Sequence, residues 1–158
     1  MKDKDLIKKA EEIVSKVLKA LEPEASAKVT IETDEDEKKF IKVVVEGENL
    51  GFLIGYRGGT LNALQMIFSQ IISNQAGEHI SVLLDINNYR ERRDDYLKSL
   101  AGRAVEEVKE NSQKVALPPL TAFERRIIHL TLQDDKDVRT ESEGEGSDRH
   151  IVIFPKKE

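Results

Sequence analysis

The sequence contains no cysteine and no hydrophobic run long enough to cross a membrane. Without cysteine, disulfide frameworks, thiol nucleophiles and cysteine-ligated zinc or iron–sulfur sites are excluded. Of the 158 residues, 35% are charged and 39% hydrophobic, which excludes both a membrane-spanning and a disordered chain. The start, Met1 to Leu6, mixes both charge signs, so we expect no signal peptide or anchor. The sequence predicts a soluble cytoplasmic protein of one ordinary domain or two small ones.

The chain also lacks a positive net charge, and its first fifty residues lack arginine. The net charge is −5, so nucleic-acid contacts would have to be local. Ten lysines lie within residues 1–50, whereas all nine arginines lie at positions 57, 90, 92, 93, 103, 125, 126, 139 and 149. Because arginine favours bidentate phosphate contacts, this segregation indicates a phosphate-binding surface. A compositional accident explains it equally well.

Hydrophobic periodicity predicts an α-β-β-α-α-β order in the first half of the chain. The pattern is helical where apolar residues recur every three or four positions and strand-like where β-branched residues cluster. The last of these strands is expected to be largely buried, because almost every position in it is apolar. The predicted elements are a helix at 4–22, a hairpin of strands at 29–33 and 40–45, a short helix at 50–54, a helix from the following glycines to 74–77, and a strand at 80–86.

The second half predicts an α-α-β-β order. A long helix, about 89–110, carries an apolar stripe that includes Tyr96 and Leu97. After a rigid connector at 117–120, Thr121 and Glu124 have the spacing of a capping box at the start of a helix that runs to about 133. Segments 138–142 and 149–154 then predict a terminal hairpin.

The first candidate site is the glycine loop Gly55-Tyr56-Arg57-Gly58 between two predicted helices. Glycines let a backbone approach a phosphate closely, and the next helix presents free N–H groups to it. This is the K-homology (KH) layout, which clamps unpaired nucleotides against a hydrophobic groove. We expect Ile54, Leu61 and a residue such as Val43 or Val45 to wall the groove, while Gly58 and Gly59 amides and Arg57 hold phosphates. A plain helical hairpin with an exposed turn tyrosine is the alternative.

The second candidate is Arg125 with His129, four residues apart and therefore on one helix face. The pair could address one ligand together, but no nucleophile, orienting carboxylate or second metal ligand accompanies it. A packed structural histidine is the alternative. From residue chemistry alone, the segment from Thr140 to Arg149 is predicted to form a turn. The segment from Arg90 to Arg93 is predicted to be a solvated, salt-bridged helix face, which could also add contacts to a row of bound phosphates.

Taken together, these residues resemble the Jag family of bacterial RNA-binding proteins (SpoIIIJ-associated, also called KhpB), which join a KH domain to an R-x-x-x-H (R-three-H) domain. The resemblance covers about residues 25 to 155 in a consistent order. It is carried by Leu53–Gln65, by Leu84-Asp85 with Tyr89–Arg93, by Glu124–Leu130, and by Thr140–Gly144 with Arg149.

The resemblance implies binding of single-stranded RNA at two surfaces, without catalysis, metal or cofactor. The implied KH surface consists of Ile54, Gly55, Tyr56, Arg57, Gly58, Gly59, Thr60 and Leu61. The implied second surface consists of Arg125, Arg126, His129, Thr140, Ser142 and Arg149. The family is linked to post-transcriptional regulation, cell division and envelope growth, and to pairing with a small KH protein, KhpA.

Three departures from the family pattern matter. Many relatives carry an N-terminal Jag domain, and this sequence begins directly with a helix, so we expect that domain's function to be absent. The loop has one basic residue, Arg57, which lowers the expected phosphate affinity. Residues 144–149 depart from the family's usual acidic-proline-asparagine stretch, which weakens a role for the hairpin tip.

The sequence therefore predicts an α/β (α+β) protein with a type II KH domain at 1–87 and a small R-three-H domain at 88–158. We expect a non-catalytic binder of single-stranded RNA, with single-stranded DNA as a second ligand because a KH groove excludes it only weakly. The alternative is a protein–protein assembly adaptor whose nucleic-acid surfaces are vestigial.

Overall fold

The computed structural model describes residues 2–157, and its internal contacts divide the chain into two compact units, one ending at Arg90 and the other beginning at Glu91. Each unit has its own hydrophobic core, and the two cores share no residue. The predicted α+β class is confirmed. The predicted domain boundary at residue 87 stays a prediction.

The first unit has the predicted α-β-β-α-α-β order. Strand β1 pairs with β2 in antiparallel register, Val29 opposite Val43, and β3 lies parallel to β2 on its other side. A parallel neighbour needs a crossover connection, which the two helices between β2 and β3 supply. The elements are α1 (Asp3–Leu21), β1 (Ser26–Thr33), β2 (Lys39–Glu46), α2 (Gly51–Ile54), α3 (Gly59–Ala76) and β3 (Ser81–Ile86).

The core of the first unit lies between the sheet and its helices. Val43 and Val45 of β2 are fully buried in it, and the expectation that one of them walls the groove stays a prediction. The expectation that β3 is largely buried is wrong, because only Val82, Leu84 and Ile86 are buried. β3 is an edge strand, and its alternate side chains lie on the less covered face of the sheet.

The second unit contains one strand more than the sequence predicts. Strand β4 (Val115–Ala116) pairs with β6, which also pairs with β5, in a three-stranded antiparallel sheet. The connector after β4 continues this edge, since the Leu117 N–H donates to the Ile151 carbonyl at 2.8 Å. The other elements are α4 (Tyr89–Asn111, beginning in the first unit), α5 (Ala122–Leu132), β5 (Val138–Glu143) and β6 (His150–Pro155).

Helix α4 buries a slightly different stripe from the predicted one. Leu97, Ala101, Ala104, Val105 and Val108 are buried. Tyr96 is 48% exposed, so its assignment to the buried stripe is wrong. The small Ala101 completes the stripe instead, four positions after Leu97 and on the same helix face. Across residues 2–157, no helix is both long and apolar enough to cross a membrane.

Candidate nucleic-acid interface

The glycine loop adopts a conformation that depends on glycine at two positions. Gly55 has φ of 71° and Gly58 has φ of 79°, values that other L-residues rarely adopt. A Cβ on Gly55 would overlap Oγ1 of Thr60, and one on Gly58 would lie 2.9 Å from Cε1 of Tyr89. Gly59, by contrast, is helical with φ of −59° and has open space around it. The loop is therefore a tightly packed turn in which only glycine fits at positions 55 and 58.

Two side chains project from the loop. Tyr56 is 81% exposed, and the Arg57 guanidinium carbon lies 4.8 Å from the centre of the Tyr56 ring. Arg57 itself has φ of 51°, a left-handed conformation that is uncommon outside glycine, asparagine and aspartate. The turn thus presents an exposed aromatic face and a guanidinium together, the two groups that bind a nucleobase and a phosphate.

The backbone of the loop leads directly into helix α3. The Gly58 N–H donates to the Gly55 carbonyl at 3.4 Å, a long hydrogen bond, and the Gly59 N–H donates to the Tyr56 carbonyl. In the part of the chain that the structure describes, no side chain caps the α3 N-terminus. The amides expected to hold phosphate are thus engaged within the turn. Their contact with phosphate stays a prediction.

Apolar residues anchor the loop from beneath. Leu61 is 1% exposed and Ile54 is 9% exposed, and both pack in the core of the first unit with Phe68. Each fully buried side chain of this size contributes roughly 1.5–3 kcal/mol relative to an exposed one. Ile54 and Leu61 thus hold the loop in place, and contact between either side chain and a base stays a proposal.

Phe52, two residues before Ile54, is a candidate that the sequence analysis missed. It lies on α2 and is 53% exposed, whereas its neighbours Leu53 and Ile54 are buried. An exposed phenylalanine one helical turn from the loop offers a second stacking surface for a base. The signal was the apolar run from Phe52 to Ile54, since a single turn of surface helix cannot bury three consecutive side chains.

In the second unit, the capping box at the start of α5 is confirmed. Thr121 Oγ1 accepts from the Glu124 N–H at 3.3 Å, and the Glu124 carboxylate accepts from the Thr121 N–H at 3.1 Å. Glu124 is only 5% exposed, and its Oε1 also accepts a hydrogen bond from Nε of Arg93 at 2.8 Å. Arg93 therefore forms the expected salt bridge, but its partner is the buried Glu124 of α5, so the expected solvated position of Arg93 is wrong.

The arginine and histidine of α5 lie in different surroundings. Arg125 is half-buried and donates Nη1 to the Leu120 carbonyl at 2.7 Å, just before the helix begins. His129 is exposed, and its Nδ1 lies 2.8 Å from Oγ1 of Thr140 on β5. This contact fixes the ring orientation and leaves Nε2 as the second hydrogen-bonding atom. The structure thus brings His129 and Thr140 together across the helix and the sheet.

The remaining predicted residues are divided between surface and turn. Arg126 and Ser142 are exposed. Arg149 is half-buried and donates Nη1 to the Gly144 carbonyl at 2.9 Å, which closes the β5–β6 hairpin. Arg149 therefore has a structural contact that accounts for its position in the turn, and a contact with nucleic acid would have to use its other guanidinium nitrogens.

Phe123 is a second residue that the sequence analysis missed. It is 70% exposed at the start of α5, three positions before Arg126, so the two side chains share a helix face. An aromatic ring next to an arginine repeats the combination found in the glycine loop. The signal was its place in the first turn, between Thr121 and the buried Glu124, where the core-facing position is already taken.

Comparison with known families and proteins agrees with this arrangement. A family model for the KhpA/KhpB KH domain matches residues 11–85, and one for the R-three-H domain matches residues 95–155. The chain is 40% identical over 150 residues, 95% of its length, to the RNA-binding protein KhpB of Clostridium symbiosum. This chain belongs to the KhpB (Jag) family. It is also 35% identical over 127 residues, 79% of its length, to the RNA-binding protein KhpB of Bacillus subtilis strain 168.

The likeness to KhpB covers both units but not the whole of the relatives. The chain spans 66% of the Clostridium symbiosum KhpB and 61% of the Bacillus subtilis KhpB. A shorter match of 72 residues, 46% of this chain, is 29% identical to the RNA-binding protein KhpA of Thermotoga maritima and covers 96% of that protein. The family model shared by KhpA and KhpB matches residues 11–85, which lie in the first unit.

Proposed function

We propose that this protein binds single-stranded RNA, with the KH loop as the principal contact and without chemical change to the RNA. The observation that carries the proposal is the turn at Gly55–Gly58, which projects Tyr56 and Arg57 at the uncapped start of α3. The naming of the curated KhpB relatives as RNA-binding proteins supports it. Residues 54–61 would hold the sugar-phosphate backbone and the adjoining bases.

The second unit would extend the bound strand. His129, oriented by Thr140, and the exposed Arg126 lie on or beside the outer face of α5. Arg125, Ser142 and Arg149 complete the surface that we propose. Because Arg125 and Arg149 each make a structural hydrogen bond, we expect them to contribute less to affinity than His129 and Arg126.

Fluorescence anisotropy with pools of short single-stranded RNA tests the principal contact. The double variant Tyr56→Asp/Arg57→Asp should remain folded and lose RNA binding, because two carboxylates at this helix N-terminus repel phosphate. Thr33→Asp/Lys38→Asp makes the same change in net charge at the exposed β1–β2 turn and should retain affinity. Equal losses in both variants would show that net charge, and not the loop, controls binding.

The same titration tests whether the second unit contributes to RNA binding and whether the protein prefers RNA to DNA. Arg125→Ala/His129→Ala should weaken RNA binding several-fold and leave circular dichroism unchanged, and no loss would remove this surface from the site. Unlabelled single-stranded DNA of the same sequence should compete more weakly than RNA. Recovery of intact RNA after long incubation with Mg²⁺ is expected, and cleavage products would contradict a non-catalytic role.

A small KH protein is the protein partner that we propose for the first unit. The match to a complete KhpA supports this, as do Met66 and Ile67 on α3, which are 72% and 48% exposed. Ile67→Asp should abolish co-purification of a KhpA-type protein after nuclease digestion. Leu130→Asp makes the same change at an equally exposed residue of the second unit and should not abolish it. Retention of partners by a protein without RNA affinity would favour the adaptor alternative. The regulatory link to cell division or envelope growth stays a prediction.

A further inference from the structure

The side chain of Asn87 fixes the connection from β3 to α4 to the first unit, because it forms two hydrogen bonds with the backbone of Gly47, as a neighbouring strand would. Asn87 Oδ1 accepts from the Gly47 N–H at 3.1 Å, and its Nδ2 donates to the Gly47 carbonyl at 2.8 Å. The Asn87 N–H also donates to the Val45 carbonyl at 2.9 Å. Asn87 and Asn88 both adopt positive φ, which turns the chain sharply into α4. The first residues of α4 therefore have a defined position in the first unit.

Tyr89, the first residue of α4, lies against the glycine loop. Its ring occupies the space that a side chain at Gly58 would need, with Cε1 only 2.9 Å from the position of a Cβ there. Gly58 is buried, and Tyr89 packs on the edge of the hydrophobic core of the first unit. Tyr89 thus packs against Gly58, and Thr60 packs against Gly55.

Arg90, the next residue, links helix α3 to strand β3. Its Nε donates to the Leu84 carbonyl at 2.9 Å, and its Nη2 donates to Oε1 of Gln65 at 2.8 Å. The same Gln65 oxygen accepts from the Leu84 N–H at 3.0 Å. Oδ1 of Asn62, which lies one turn nearer the loop, is 3.4 Å from Nη2 of Arg90. A planar, rigid guanidinium is suited to bridge a carbonyl and an amide oxygen in this way.

These contacts assign Arg90 a role different from both roles that the sequence allowed. Arg90 is half-buried, and two of its guanidinium nitrogens are engaged with Leu84 and Gln65, so a contact with phosphate would have to use Nη1. Tyr89 and Arg90 also fall between the regions matched by the KH and R-three-H family models, which end at residue 85 and begin at residue 95.

We propose that Tyr89 and Arg90 are positioning residues for the RNA-binding loop. Tyr89 holds Gly58 in its left-handed conformation from behind, and Arg90 fixes the first two turns of α3, which carry the loop. Neither side chain contacts RNA. The inference rests on the proposed function, but its structural part concerns the free protein and is measurable without RNA.

The proposal predicts a particular pattern of effects in the full chain. If Tyr89→Ala or Arg90→Gln reduces the binding-competent loop population to about a tenth, the Kd for short single-stranded RNA rises about tenfold. The dependence of log K on log salt keeps its slope, because the bound state retains its phosphate contacts. A direct phosphate contact by Arg90 would instead make the slope shallower by about 0.7 in the Arg90→Gln variant, and that result would overturn the proposal.

Amide hydrogen exchange in the free protein, followed by NMR, is the second measurement. In Tyr89→Ala, exchange should accelerate at Gly58 and Gly59, while Val43 in the core strand β2 keeps its protection. Uniform acceleration at all three would show a general loss of stability, and unchanged exchange at the loop would show no positioning; either result contradicts the proposal. Tyr89→Leu replaces Tyr89→Ala if the alanine variant does not fold.

Two controls complete the design. Tyr89→Phe should bind RNA like the wild type, because a ring carbon makes the close contact with Gly58. Arg103→Gln removes the same charge from an exposed position on the same helix and should leave both Kd and loop exchange unchanged. If the wild type binds no RNA, the proposed function fails, and the exchange rates at Gly58 and Gly59 in Tyr89→Ala and in Arg90→Gln still decide whether Tyr89 and Arg90 position the loop.

Discussion

At the scale of single residues, the neighbouring glycines Gly58 and Gly59 play different physical parts. Gly58 combines a positive φ with a tyrosine ring packed against its α-carbon, so a side chain there meets both backbone strain and overlap. Gly59 is an ordinary helical residue with open space around it. Glycine is therefore a structural requirement at position 58. At position 59 the fold does not require glycine, which lowers helix stability there unless the ligand needs the open space.

We expect Gly58→Ala and Gly59→Ala to have opposite effects on stability. Gly58→Ala should lower the free energy of unfolding by at least about 1–2 kcal/mol, because a left-handed alanine is strained and its methyl group meets Tyr89. Gly59→Ala should raise it by about 0.5–1 kcal/mol, the usual gain in a helix. Urea denaturation of the two variants measures both, and equal values would show that the loop is not held as described.

At the scale of elements, α5 is fastened at its first turn by a buried ion pair in addition to its capping box. The Glu124 carboxylate accepts from the Thr121 N–H and from Arg93 Nε on α4, and its side chain is only 6% exposed. Since α5 carries Arg125, Arg126 and His129, this carboxylate sets the position of the second proposed RNA surface. Removal of this carboxylate therefore removes both the acceptor of the capping box and a charge-assisted hydrogen bond from Arg93.

Glu124→Ala should therefore be destabilising, by about 2–4 kcal/mol, because it removes a helix cap and a hydrogen bond between charged groups. Glu141→Ala breaks the pair with Arg139, in which both side chains are about half exposed, and should cost at most about 1 kcal/mol. Thermal or urea unfolding of the two variants makes the comparison. A loss below about 1 kcal/mol for Glu124→Ala would mean that the pair contributes little to holding α5.

At the scale of the whole molecule, the two cores are separate, and α4 begins in the first unit and continues into the second. The Arg90 hydrogen bonds to Leu84 and Gln65, and the packing of the Tyr89 ring at Gly58, lie within the first unit. A domain boundary at residue 87 would remove both from the unit that they pack against. We therefore propose the boundary between Arg90 and Glu91 as the better place to divide the chain.

A comparison of two fragments tests this division. Fragment 1–90 should unfold at a higher urea concentration than fragment 1–87, because the shorter one loses the Tyr89 packing and the Arg90 hydrogen bonds to Leu84 and Gln65. Circular dichroism follows both transitions. Equal midpoints would support the sequence-based boundary, and would also show that Tyr89 and Arg90 add no stability to the first unit.

The charge of the molecule limits how it binds a polyanion. With a net charge of −5, only local cations such as Arg57 can approach phosphates closely. For about four phosphate contacts, the slope of log K against log salt should be about −3, and ten contacts would give about −7. Anisotropy titrations at several salt concentrations distinguish these values, and the steeper slope would contradict a small electrostatic site.

The sequence by itself determined the features that depend on neighbours within a few positions. The helical stripes and the Thr121–Glu124 capping box depend on residues three or four positions apart, and the β1–β2 hairpin joins two strands that are consecutive in the chain. Their signals are periodicity and spacing, and they were enough to indicate the family and the first candidate site. The order of elements in the first unit followed from the same local patterns.

Only the tertiary structure decided the features that depend on residues far apart. Strand β4 is two residues long and exists because β6 supplies its hydrogen bonds. Arg90 bonds to Gln65, 25 positions away, and Arg93 bonds to Glu124, 31 positions away. No local pattern distinguishes such an arginine from a solvated one, because an arginine's role depends on which acceptors the completed fold places within its reach.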